Sequence, residues 1–114
     1  MSSAITLLYC PFPTRDAAQH ACLVLLKEQL IACGNILPGA ESHYWWEGVL
    51  TKSDEYILLA KTTQALREQT MHRLSTLHPY ACPAILCVDA TANPAYAAWV
   101  LNTTRDYDLP KASD

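Results

Sequence analysis

Cys10 and His78 are the residue types in this chain best suited to soft-metal or nucleophilic chemistry. A thiolate is a ligand that cuprous ion prefers, and a thiol beside an imidazole is the starting point of a nucleophile–base pair. Cys10 ends a predicted first strand and His78 opens a turn before a predicted last one, so both could lie at the same end of neighbouring strands. Only Arg15 offers a cation near Cys10 to favour the thiolate. The chain has no glycine-rich phosphate loop, no acid–base pair of carboxylates and no nucleophile elbow. It therefore reads as a binding protein and not as an enzyme. The alternative for the pair is a buried thiol and a turn histidine hydrogen-bonded to backbone. Cys82 and Cys87 are spaced to point to opposite sides of a strand, so they do not chelate together.

A second candidate site is aromatic. Tyr44, Trp45 and Trp46 alternate across a strand, so Trp45 faces away from its two neighbours. One face would pack on helices and the other on a neighbouring subunit. Glu47, Lys61 and Tyr80 supply polar groups around this wall, and a cleft of that composition suits a small anion or metabolite. Trp45, Trp46, Glu47, Lys61 and Tyr80 form the candidate intersubunit cleft. Lys61 has a simpler alternative, an ion pair with Glu47 or Glu55. His20 and His72 fall on predicted helix surfaces as solvated histidines.

The elements that must position these groups follow from periodicity. Ala4 to Cys10 is a mostly apolar run, expected as a central strand buried on both faces. Thr14 is placed to cap a helix from Arg15 to Cys33, with Asp16 in its first turn and Gly34 as its stop. Asn35 to Thr63 reads as a long antiparallel hairpin. Its first half, Ile36 to Glu47, is interrupted by Pro38-Gly39, a turn or bulge signal. Gly48 to Asp54 is polar enough to turn the chain, and Glu55 to Thr63 returns as a strand. Gln64 to Leu77 is a second helix with Leu66, Thr70, Leu74 and Leu77 inward. His78 to Pro83 is a turn fixed by prolines, Ala84 to Ala90 a fourth strand, and Ala95 to Asn102 a short helix. The polar tail, Thr103 to Asp114, is expected to be loose at its end.

Strand–helix–strand used twice, with right-handed crossovers, gives an α+β, ferredoxin-like βαββαβ fold with a C-terminal helix. The two main helices cover one sheet face, and nothing evident covers the other. The hairpin exceeds what so small a core needs. Exposed strand edges and an apolar open face call for a partner, so an oligomer is expected, with the overlong strands pairing between subunits.

The 114 residues suit one domain, 1–114. A net charge of −3 argues against a nucleic-acid partner. No apolar run reaches the roughly 18 residues of a membrane helix, and no signal peptide is evident. Five cysteines without a C-x-x-C pair fit reduced thiols, hence a cytoplasmic protein.

Several motifs fall in one order at one set of intervals. They are Cys10 followed by Pro13, the run from Ala32 to Gly39, Ser42 to Gly48, Lys61-Thr62-Thr63, His78-Pro79-Tyr80 with Pro83, and Tyr96 with Trp99. Together they resemble the CutA family of divalent-cation tolerance proteins over nearly the whole chain. The resemblance implies a cytoplasmic homotrimer of ferredoxin-like subunits whose hairpins pair across subunit boundaries. It also implies a role in tolerance of, or response to, divalent metals, with copper as a bound ion. Cys10 stands at the family's copper-linked cysteine and His78 where the family places histidine ligands. Leu77 occupies the position of a first histidine in some members, and Ala84 that of a glutamate. Cys10 and His78 alone would make a two-coordinate site. The likeness of such trimers to the PII signalling proteins raises an alternative by analogy of fold: a signalling or structural trimer holding a small ligand or partner in the cleft.

Overall fold

A computed structural model describes residues 3–105. The elements are β1 (Ala4–Phe12), α1 (Arg15–Lys27), β2 (Cys33–Trp46), β3 (Val49–Thr62), α2 (Arg67–Leu77), β4 (Leu86–Thr91) and α3 (Pro94–Thr103). The four strands form one antiparallel sheet in the order β2-β3-β1-β4, the expected ferredoxin-like arrangement. β1 and β3 are central.

The α1 N-terminus forms as its sequence predicts, with the Thr14 hydroxyl accepting from the Ala17 N–H at 3.1 Å. Its end differs. α1 stops six residues before Cys33, because Gln29 turns left-handed at φ +58°. The Gln29 N–H then bonds to the Leu26 carbonyl and the Leu30 N–H to Leu25, each at 3.0 Å. This double closure satisfies the last carbonyls and buries Leu30 against the helix. Gly34 is not a helix stop but lies in β2, where a Cβ would sit 2.6 Å from the Cys22 sulfur. It lets α1 pack close to the sheet.

The hairpin has nearly its expected extent, but its strands run further toward the tip than the sequence pattern indicates. Its loop is only Glu47-Gly48, both at positive φ, the backbone of a type I′ turn. Residues 49–54, expected as turn, continue the strand. Their polar residues sit on a ribbon open to solvent, so polarity did not mark a turn there. The Pro38-Gly39 signal is a bulge: Leu37 pairs with Ile57, and the next partners are Ala40 and Glu55.

The main core lies between one sheet face and the helices. Leu8, Cys10 and Phe12 of β1 and Leu58 and Ala60 of β3 meet Ala18, Ala21 and Leu25 of α1 and Leu66 and Leu74 at α2. Buried polar groups are paired inside it; Thr62 and Thr70 both donate to the Leu30 carbonyl. The opposite face is not wholly bare, as α3 covers one corner of it with Ala97 and Val100 packed on Ile5 and Ala32. Beyond that corner Tyr9, Leu37, Leu86 and Val88 stay exposed, so β1 is buried on both faces only at its first residues. The tail begins anchored: Thr104 is buried and the Arg105 N–H bonds to the Gln29 carbonyl at 2.7 Å. Residues 106–114, most of the expected loose tail, lie outside the described residues.

β1 pairs with β3 only from Tyr56 to Thr62. The other end of the ribbon, residues 40–55, leaves the sheet as two strands alone. It draws the molecule out to 53 Å, against 25 and 24 Å across.

Candidate functional site

His78 ends α2 in extended backbone. Its ring stacks on Phe12 with centroids 4.3 Å apart. Nδ1 accepts the Tyr80 backbone N–H at 3.1 Å, which puts the ring proton on Nε2. Nε2 donates to the Pro11 carbonyl at 2.7 Å. Burial holds the imidazole pKa below its ordinary value, so the ring is a neutral, fully bonded strut.

Cys10 has no solvent exposure and lies within the main core. Burial, aided by the charge of Glu55, pushes its thiol up to about 12. The sulfur is therefore a protonated thiol. With the thiol enclosed and both imidazole nitrogens engaged, this pair does not fit a metal ion as folded. Among the described residues no three His, Cys, Asp or Glu side chains come together as a metal cage.

The second candidate site does gather. Where the ribbon leaves the sheet, a cavity of about 620 Å³ opens, walled by Tyr44, Trp46, Tyr80 and Pro11, with Glu55 and Cys82 among its polar groups. Glu55 is only 6 % exposed. The Tyr80 hydroxyl donates to its Oε2 at 2.8 Å, which ties the loop after α2 to the base of the hairpin. Burial, then this hydrogen bond and the carboxylate charge, raise the Tyr80 pKa far above the phenol range. A neutral phenol is thus fixed as a donor.

Of the five expected cleft residues, one chain brings Trp46 and Tyr80 together. Trp45 points to the opposite face of the ribbon, where its pairing partner is Leu50, and it is 71 % exposed. Glu47 sits at the tip turn. Lys61 lies twelve residues along β3 from Val49, roughly 40 Å at strand rise. Its ammonium bonds to Asn35 and to neither Glu47 nor Glu55. Within one chain Glu47 and Lys61 therefore belong to different places. Glu55 is the cavity residue that sequence reasoning passed over as a mere partner for Lys61. Its signal was faint: a carboxylate heading an apolar strand.

The two ribbon faces differ in character. Tyr44 and Trp46 share the cavity face with Thr51 and Val49. The Tyr44 hydroxyl meets Ser53 Oγ at 2.5 Å. The other face carries an exposed polar ladder in which His43, which also borders the cavity, bonds Glu41 at 2.7 Å and Lys52 lies between Glu41 and Asp54.

Comparison with known proteins places this architecture. Residues 6–103 match the family model described as CutA1 divalent ion tolerance protein. The divalent-cation tolerance protein CutA of Pyrococcus horikoshii is 37 % identical over 100 residues, covering 87 % of this chain and 97 % of the relative. The crystal structure of CutA1 from Oryza sativa superposes with a TM-score of 0.87 at 30 % identity, covering 92 % of this chain and 97 % of that one. CutA1 from Ehrlichia chaffeensis gives a TM-score of 0.83 at 35 % identity, covering 87 % and 94 %.

Proposed function

The chain belongs to the CutA1 divalent ion tolerance protein family, and from that premise we propose that it serves divalent-cation tolerance as a homotrimer, with the cleft at the hairpin base as its recognition site. The observation that carries this reading is the unpartnered ribbon. Trp45, Trp46, Val49 and Leu50 crowd its tip and are all largely exposed. A two-stranded ribbon is marginal in water by itself. Apolar side chains on such a ribbon, and on the open sheet face beside Tyr9, Leu86 and Val88, are what a neighbouring copy would cover. Three copies allow each ribbon to find strand edges on its neighbours in a closed ring.

The protein acts in this reading by binding and not by catalysis. Cys10 is held as a thiol and His78 has no free nitrogen, so the pair is not set as nucleophile and base. Copper or another divalent cation is the cue of the tolerance response, but the Cys10–His78 pair as folded is not its seat. The five free thiols suit a cytoplasmic protein. The cavity also favours the signalling reading, in which the trimer holds a small ligand or partner, because a concave aromatic site with few polar groups is the usual form of a small-molecule pocket.

Deleting Trp45 to Lys52 tests the assembly. Loss of the trimer is the expected result, and a trimer of unchanged mass contradicts it. Copper titration tests the metal reading: Cys10→Ser is expected to leave copper affinity unchanged, and a large loss would return Cys10 to the site.

A further inference from the structure

The Proposed function leaves open what the cleft holds, and Glu55 narrows the class. Its carboxylate is more than nine-tenths buried and lines the cavity. Among the described residues it has one partner, the Tyr80 hydroxyl on Oε2. Among the described residues of one chain, no Lys, Arg or His lies within ion-pair distance of it. Lys52 is committed to Glu41 and Asp54 on the other ribbon face, and His43, which borders the same cavity, gives its Nε2 to Glu41 and not to Glu55. Its negative charge is nonetheless felt by Cys10, His78 and Tyr80 around it. A buried carboxylate with one hydrogen bond and no counter-charge is a costly arrangement unless something supplies the cation.

The surroundings say which kind. Tyr44, Trp46 and Tyr80 present aromatic surface to the same cavity. Ring faces attract cations, and several rings beside one carboxylate suit an organic cation. A divalent metal would need several donors, and no such group forms here among the described residues.

Resting on the reading of the cleft as the recognition site, we infer that it takes a small organic cation, a protonated amine or quaternary ammonium group, seated on Glu55 between the walls of Tyr44, Trp46 and Tyr80. The ammonium supplies the missing counter-charge and its carbon substituents lie on the rings. Glu55 selects for charge, and the aromatic walls select for an apolar shell around it.

Isothermal titration of the full chain with choline, and with its uncharged isostere in which carbon replaces nitrogen, tests this directly. Light scattering on the same sample records the mass. Choline should bind saturably, and the isostere and the Glu55→Gln variant should each bind about tenfold or more weakly. Trp46→Leu, a change at a ribbon position half exposed in one chain, should also weaken choline without changing the mass recorded by light scattering, and covers the case in which Glu55→Gln fails to fold. Equal binding of the isostere, full binding by either variant, or no binding of choline overturns the inference. Zinc binding that is lost in Glu55→Gln, without choline binding, overturns it in favour of a metal. A monomer that binds choline through Glu55 sinks the trimer and leaves this inference standing. A trimer that binds neither probe does the reverse.

Discussion

β3 is one strand with two environments. From Ile57 to Lys61 it pairs on both edges and buries Leu58 and Ala60 completely under α1. From residue 49 to 55 it has β2 on one edge only, and Leu50 is 64 % exposed. The first half is stabilised entirely by its own chain. The second half carries aliphatic surface, Val49 and Leu50, that its own chain leaves exposed. In the proposed trimer, stability within the subunit and recognition beyond it fall to different stretches of one element, with Glu55 at the boundary.

Mutations can break this comparison. Leu58→Ala should cost about 2–5 kcal/mol in denaturant unfolding, because it opens a cavity in a packed core. Leu50→Ala should change the stability of a dissociated chain by under about 0.5 kcal/mol. Its effect should appear instead as a melting temperature that falls on dilution. Equal costs at both sites would mean that the ribbon is already packed within the chain.

Glycines sharpen the same contrast. Gly34→Ala should lose about 1–3 kcal/mol by overpacking, since its Cβ would press on the Cys22 sulfur and on Leu58. Gly48→Ala meets no neighbour and should lose only the roughly 1 kcal/mol of a left-handed alanine at φ +79°.

The packed half should also respond to pH at both extremes. Cys10 is raised from 9.0 to about 12, so the unfolded thiol ionises first and stability falls as pH rises through that interval. Tyr80 adds to the same alkaline loss. His78 is lowered from 6.5, so the unfolded ring takes up its proton first. Its contribution is complete above 6.5 and is lost as pH falls below it. Unfolding measured across pH should show both slopes, with Cys10→Ala flattening the alkaline one and His78→Gln the acid one. A small gain, about 0.5 kcal/mol, is expected at Gln29→Gly from relieving the left-handed turn, partly offset by the freer unfolded chain.

Much of this was legible beforehand. The alternation of Tyr44, Trp45 and Trp46 correctly set Trp45 apart, the Pro38-Gly39 bulge was marked, and Thr14 announced its cap. The end of α1 was not legible, because a glutamine took the left-handed position and Leu30, not a glycine, secured the turn. The start of β3 was hidden since a ribbon wet on both faces shows no apolar alternation. Cys10 and His78 looked like a pair by position along the chain, but the pleat aims the thiol into the core and the ring bonds spend both imidazole nitrogens. Glu55 gained its meaning only through a hydrogen bond to Tyr80, twenty-five residues away, which no local pattern encodes.

The account turns on whether the bare half of β3 is covered by other copies of the chain. The mass of the full chain in solution, measured by light scattering over a dilution series into the micromolar range, decides it. A particle three times the 12.7 kDa of one chain is the expected result. A stable 12.7 kDa particle with its ribbon in water would contradict it.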